Sequence, residues 1–211
     1  MKKNVRYMKI ICIGRNYLAH IKELNHSIPE EPVFFFKPDS ALLQKHSPFY
    51  YPDFSNEVHY ECELVVKINR LGKSIPENFA HNYYSEVAVG LDMTCRDIQR
   101  KEIEKSLPWS ISKAFDYSAP ISNFVTLDNL GKDIQNLDFK LLKNGVVVQE
   151  TNTSDMIFSV NKLISYLSRF MTLKIGDMIF TGTPCGVGEV KIGDKLEAYL
   201  EGNSILKCDI K

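Results

Sequence analysis

The 211-residue chain has no C-x-x-C pair, no surplus of either charge, no long apolar run and no low-complexity tract. Each absence narrows what it can do. Lys+Arg and Asp+Glu both number 26, for a formal net charge of zero. The charged stretch from Arg96 to Lys105 also mixes both signs, so nothing resembles the basic footprint of a nucleic-acid binder. A zero net charge does nothing to prevent self-association. The five cysteines, Cys12, Cys62, Cys95, Cys185 and Cys208, are odd in number and scattered, which reads as reduced, mostly buried thiols in a cytosolic protein. The apolar stretch from Met8 to Ile13 contains Lys9 and soon meets Arg15, too short for a signal h-region, and nothing elsewhere approaches a membrane span. The expected location is the cytoplasm. With no Pro/Ser/Gly-rich linker, one domain over 1–211 is expected, long enough to bury roughly 70% of its unfolded surface.

Short β-like runs dominate what is present. Residues 9–13, 33–36, 60–68 and 87–91 read as strands, and 139–149 as a hairpin turning at Asn144-Gly145. Residues 15–24 have helical propensity, and 44–56, with Pro48 and Pro52, read as loop. Thr94 predicts the cap of a helix over 96–105, with Asp97 in a capping-box-like position and Pro108 beyond the end. Ser154 precedes the clearest helix, in which Met156, Ile157, Val160, Leu163, Ile164 and Leu167 form an apolar stripe. Ile175-Gly176-Asp177 and Ile192-Gly193-Asp194 repeat a turn rather than a domain. Without a βαβ rhythm, the expected class is α+β with a mixed, rolled sheet.

Two carboxylates in the run 60–68 carry the strongest chemical signal. On a strand, Tyr60, Cys62, Leu64, Val66 and Ile68 form an apolar face while Glu61 and Glu63 project together from the other. Adjacent like charges repel. A hard divalent cation would relieve that, and Asp92, delivered by the strand 87–91, would complete an all-oxygen site suited to Mg²⁺ or Mn²⁺. Two glutamates alone also fit a solvated strand face. His59 shares the Glu61 face, but as a fourth ligand it would break the oxygen-only logic and is set aside.

His20 and Glu23 lie three apart on a short helical segment, so the carboxylate can hold the imidazole in one tautomer and leave its other nitrogen to take a proton from water. An incidental polar pair on an exposed helix has the same spacing. Arg96 and Gln99 share a helical face just past Asp92, and the planar fork of Arg suits a substrate carboxylate. Lys113, among apolar neighbours, can bind an anion or move a proton, although a lone lysine also reads as a surface residue. The loop from Thr181 to Gly188 lacks the Gly-Lys-Ser/Thr ending of a P-loop, yet its N–H groups and the Thr183 hydroxyl could face an anionic substrate. A tight turn is the equal alternative. Nothing beside Cys185 would lower its pKa, so it is not read as a nucleophile.

These segments together resemble the fumarylacetoacetase (fumarylacetoacetate hydrolase) family, in its short single-domain acylpyruvate hydrolase branch. The matching pieces are Gly14-Arg15-Asn16-Tyr17 with His20 and Glu23, Phe36-Lys37-Pro38, Tyr60-Glu61-Cys62-Glu63-Leu64, and the stretch Leu91 to Asp97. Leu107-Pro108-Trp109 to Phe115, Met156-Ile157-Phe158-Ser159 and the Thr-Gly-Thr-Pro loop complete them. The resemblance implies a β-roll of several packed sheets with a few peripheral helices, a homodimer, and Mg²⁺ or Mn²⁺ on Glu61, Glu63 and Asp92. It implies that His20 and Glu23 form a water-activating dyad on a segment that orders over substrate, with Arg15, Arg96, Gln99, Lys113 and Thr183 lining the pocket. One departure is Ile121-Ser122-Asn123 after Ala119-Pro120, where many members carry Gly-Pro.

The activity so implied is divalent-metal-dependent hydrolysis of a carbon–carbon bond in acylpyruvates or related 2,4-dioxo acids, releasing pyruvate. Decarboxylation of oxaloacetate would pass through the same enolate. An alternative is the 2-hydroxyhepta-2,4-diene-1,7-dioate isomerase or 5-oxopent-3-ene-1,2,5-tricarboxylate decarboxylase type of aromatic catabolism, which shares fold and metal site. A metal-binding scaffold without turnover is disfavoured, because it would need neither the dyad nor the anion-binding residues.

Overall fold

A computed structural model describes residues 8–23, 27–43 and 47–211. At its centre is a six-stranded mixed sheet. In spatial order its strands are Val33–Lys37 (β2), Ile10–Gly14 (β1), Met178–Phe180 (β12), Cys62–Ile68 (β5), Tyr84–Leu91 (β6) and Val125–Thr126 (β9). β1 runs parallel to β12, with Ile11 opposite Ile179, and the other neighbours pair antiparallel. A four-stranded sheet follows the order Val146–Asn152 (β11), Asp138–Lys143 (β10), Lys195–Leu200 (β14) and Asn203–Asp209 (β15). Two small sheets complete the roll: Gly188–Glu189 (β13), Val58–Tyr60 (β4) and Thr94–Cys95 (β7), and Leu42–Leu43 (β3) with Ala119–Pro120 (β8). Around them lie the helices Leu18–Glu23 (α1), Arg96–Glu104 (α2), Ser110–Lys113 (α3), Leu127–Leu130 (α4) and Val160–Phe170 (α5). The class is α+β, with several packed sheets and peripheral helices, as the sequence implied.

The alternation of β5 explains the layering. Leu64, Val66 and Ile68 join Phe139, Leu141, Ala198 and Leu206 of the four-stranded sheet in one buried cluster. Val65 points the other way, into a second cluster with Ile10, Cys12, Ala88 and Phe180. A central strand buried on both faces must be apolar throughout except where function dictates otherwise. At Gly90 on β6 an added Cβ would lie 2.5 Å from Phe180 Cε1 and 3.0 Å from Val65 Cγ2. Gly90→Ala is therefore expected to destabilise the fold by about 1–3 kcal/mol, lowering the urea midpoint. An unchanged midpoint would show that the sheet gives way there.

Local expectations met mixed outcomes. The hairpin turns at Asn144 (φ 54°) and Gly145 (φ 82°), both left-handed as a type I′ turn requires. The run 60–68 is not one strand: β4 and β5 belong to different sheets, and Glu61 stands at the step between them, its carbonyl accepting from Asp92 N–H at 2.7 Å. Thr94 does not cap α2. Cys95 holds that position without a side-chain bond, while Thr94 Oγ1 donates to Asp92 O and Asp97 accepts from Ser55 Oγ instead. The apolar stripe 156–167 becomes helical only from Val160, after Ser159 Oγ accepts from Lys162 N–H. Before that, the N–H groups of Ile157 and Phe158 are taken by Asn16. Of the helical run 15–24, α1 covers Leu18–Glu23, and Leu24 lies outside the described residues, as do 44–46 of the expected loop. The departing segment Ile121-Ser122-Asn123 is held firmly, with Ser122 exchanging bonds with Val89. No described helix is long and apolar enough to cross a membrane.

Candidate active site

Three chain segments end at the same place. Glu63 lies on β5 opposite Gly90 of β6, and the pairing of Cys62 with Leu91 carries Asp92 beside Glu61. One oxygen from each of Glu61, Glu63 and Asp92 falls within 4.8 Å of the others, and all three residues are buried. Buried carboxylates this close need compensation. Lys113, at the end of α3, supplies it: Nζ donates to Glu61 Oε2 and Asp92 Oδ2 at 2.7 Å each and to Thr94 Oγ1 at 2.6 Å. Arg96 at the start of α2 pairs with Glu61 Oε1 and also donates to Gln99 Oε1. Lys113, flanked by apolar residues, is thus not on the surface.

The charges are unevenly shared. Burial alone would raise Glu61, but Lys113, Arg96 and His20 outweigh it and hold its carboxyl well below the usual range. Burial would also depress Lys113, yet Asp92 and Glu61 keep its ammonium above its ordinary value. Glu63 goes the other way. Burial, then the neighbouring Asp92 and Glu61, push its pKa well up, and its hydrogen-bond donor is the Gly182 N–H at 2.8 Å. Asp92 Oδ1 meets no hydrogen-bond donor in proper geometry, although Lys37 Nζ stands 2.8 Å away. Three converging hard oxygen donors, one of them without a hydrogen bond and one reluctant to ionise beside its neighbours, fit a hard divalent cation.

The carboxylates floor an open pocket. Arg15, His20, Arg96, Gln99, Lys113 and Thr183 line it, with Ile13, Phe35, Ile103 and Trp109 forming apolar walls. Of the residues anticipated from sequence only Glu23 does not line it. Glu23 acts one step behind: Oε2 lies 3.0 Å from His20 Nδ1, and Oε1 accepts from Gly186 N–H at 3.0 Å. A carboxylate beside Nδ1 favours the tautomer protonated there, which leaves Nε2 as the basic nitrogen. Arg15 reaches the pocket from a left-handed backbone (φ 60°) directly after β1, a conformation that costs a non-glycine residue about 1–3 kcal/mol. Thr183 is present but less free than expected. Its Oγ1 donates to Cys62 O and accepts from Gln149 Nε2, both at 2.9 Å.

Several supporting residues had no individual reading in the sequence. Asn16, fully buried, bonds Phe158 and Thr181 through its side chain and so fixes Arg15 against the Thr-Gly-Thr-Pro loop. Gln149 ties that loop to β5, accepting from Cys62 N–H while donating to Thr183 and Pro184. Glu102 accepts from Ile111 N–H and Ser112 Oγ, setting α3 and with it Lys113. Lys37 is enclosed beside Asp92. Amide and lysine side chains that meet partners from 34 to 165 positions away leave no local pattern. His59 turns instead to Glu57, with Nε2 2.9 Å from Oε1, and Cys185 is exposed.

The model for the fumarylacetoacetate (FAA) hydrolase C-terminal family matches residues 9–211. The chain belongs to this family. Among its relatives, mouse "oxaloacetate tautomerase FAHD1, mitochondrial" is 42% identical over 202 residues, covering 96% of this chain and 91% of that protein. The "oxaloacetate decarboxylase, mitochondrial" of Dictyostelium discoideum is 45% identical over 195 residues, covering 92% and 89%. Among solved structures, fumarylpyruvate hydrolase from Pseudomonas aeruginosa in complex with Mn²⁺ and pyruvate superposes with a TM-score of 0.91 at 37% identity, covering 100% of this chain and 92% of that one. The family thus includes members named for tautomerisation, a reaction the residue-level reading did not anticipate.

Proposed function

We propose that the chain is a divalent-cation-dependent enzyme, one catalytic domain throughout, that forms and protonates the enolate of a small 2-oxo acid. Oxaloacetate is the first substrate, by tautomerisation or decarboxylation, and acylpyruvates are the second, by C–C hydrolysis. The observation that carries this reading is the buried Glu61–Glu63–Asp92 group facing the His20–Glu23 pair across one pocket. Glu61, Glu63 and Asp92 would hold a Mg²⁺ or Mn²⁺ ion, which would supply Lewis acidity to the 2-oxo acid end of the substrate.

The protein residues then divide the work. Arg96, Gln99 and Arg15 bind the substrate's carboxylates, and Lys113 gives a positive charge beside the developing enolate oxygen. His20 Nε2 moves a proton at C3, while Glu23 stabilises the imidazolium that results. In decarboxylation the C3–C4 bond breaks, carbon dioxide leaves, and the electron pair stays in the enolate until C3 is protonated. In hydrolysis His20 instead takes a proton from water as the oxygen attacks the distal carbonyl. The same C–C bond then breaks to give pyruvate and an acid. The held geometry of His20 and Glu23 supports this second reading too, because a base oriented toward the pocket can activate the attacking water.

The scattered free cysteines support a reducing compartment such as the cytoplasm. The exposed aromatics Phe36 and Phe170 beside edge strand β2 support a homodimer.

The test is to follow enol-oxaloacetate decay and pyruvate release from oxaloacetate, acetylpyruvate and fumarylpyruvate, with and without Mg²⁺ or Mn²⁺. Acceleration beyond the free cation is expected for oxaloacetate at least. No acceleration of any of them would sink the reading.

A further inference from the structure

Lys37 is the charged group of the site to which the proposed chemistry gives no task. Its side chain is wholly enclosed, with Nζ 2.8 Å from Asp92 Oδ1. Nζ also donates to Ser118 Oγ at 2.9 Å, to Ser118 O at 3.3 Å, to Met93 O at 3.5 Å and to Lys113 O. These acceptors satisfy an ammonium without Asp92, and the Asp92 contact lies outside hydrogen-bond geometry. The effect of Lys37 on Asp92 is therefore one of charge. Asp92 does not depend on it for orientation either: Oδ2 is held by Lys113 at 2.7 Å and its backbone N–H by Glu61 O at 2.7 Å. Lys37, Lys113 and Arg96 are the three cationic side chains set against the carboxyl groups of Glu61, Glu63 and Asp92.

We propose that Lys37 acts through Asp92 as a positioning residue that holds down the site's affinity for a divalent cation and keeps the bound cation strongly Lewis-acidic. The inference rests on the cation site proposed above. A positive charge behind Asp92 opposes a second cation in front of it and draws electron density from the ligand oxygens. The cation then binds less tightly and polarises the substrate more.

The expected behaviour is opposite to that of an ordinary orienting partner, whose loss typically weakens metal binding by about 10–100-fold. Lys37→Met should bind Mn²⁺ at least about tenfold more tightly by calorimetry, a lower bound, because even unit charges several ångströms apart at an effective dielectric constant of about 20 interact by more than that factor. Its kcat on oxaloacetate at saturating cation should fall severalfold. Lys37→Arg should keep the parent affinity. Lys37→Gln, which retains a donor for Ser118, repeats the test if the Met variant does not fold. A parent that binds no divalent ion would refute the cation site itself. A binding parent whose folded uncharged variants bind Mn²⁺ equally or more weakly would overturn the role of Lys37, and so would failure of both uncharged variants to fold.

Discussion

Saturating Mg²⁺ or Mn²⁺ is expected to raise the melting temperature of the parent chain by roughly 5–10 °C and to leave Glu61→Ala, Glu63→Ala and Asp92→Ala unmoved. A ligand at 100 times its Kd adds about 2.7 kcal/mol to the folded state, and each kcal/mol moves a chain of this size by about 2–4 °C. The pH dependence adds a sharper test. Burial and the adjacent Asp92 and Glu61 raise the Glu63 pKa, so its folded value exceeds its unfolded one. Its contribution to stability is present at low pH and is lost as pH rises through that raised value. Glu61, depressed by Lys113, Arg96 and His20, works oppositely and loses its contribution as pH falls. In chelator, Glu63→Gln should therefore outlast the parent on the alkaline side. A divalent cation favours the ionised carboxylate, so its stabilising effect on the parent should grow with pH. Equal cation-induced shifts in all four proteins would remove these residues as ligands.

His20→Ala and Glu23→Ala are expected to retain cation binding and lose most acylpyruvate hydrolysis, about 10²–10⁴-fold, the usual contribution of general-base catalysis. Oxaloacetate decarboxylation should fall less, because its C–C cleavage needs no activated water and only the later protonation at C3 loses its donor. Pyruvate release from both substrates, measured on the same preparations, decides the matter. Parallel losses with cation affinity intact would mean that the dyad does not act through water. Glu23 has a second attachment, to Gly186 N–H. Part of its effect should therefore appear as a mobile α1, visible as faster amide exchange over Leu18–Glu23 in Glu23→Ala but not in His20→Ala.

The parts legible in the sequence were those set by local periodicity or short spacing. Alternation along 60–68 revealed the two carboxylates, the three-residue spacing revealed His20 and Glu23, and Asn144-Gly145 marked its hairpin. What stayed hidden depends on groups that meet from far apart. The stripe 156–167 looks helical from its first residue, and only Asn16, 142 positions from Phe158, diverts its beginning into extended pairing. Thr94 has the right chemistry for a cap, but Lys113 draws its hydroxyl toward the carboxylates. Glu61 alternates correctly although it sits at a change of sheet, because the step preserves which way the side chain points. Lys37 and Gln149 read as ordinary polar residues until the fold turns them inward.

The parallel pairing of β1 with β12 also governs when activity can appear during synthesis. The bond from Lys9 N–H to Asp177 spans 168 positions, and the pocket draws on residues from Ile13 to Thr183. Joining such distant segments carries the largest loop-closure cost. A nascent chain that has exposed Glu61, Glu63 and Asp92 therefore has its three acids but not the Gly182 N–H that anchors Glu63. Ribosome-bound chains halted before that glycine emerges should neither retain Mn²⁺ nor turn over substrate, and both properties should arise together once it has emerged.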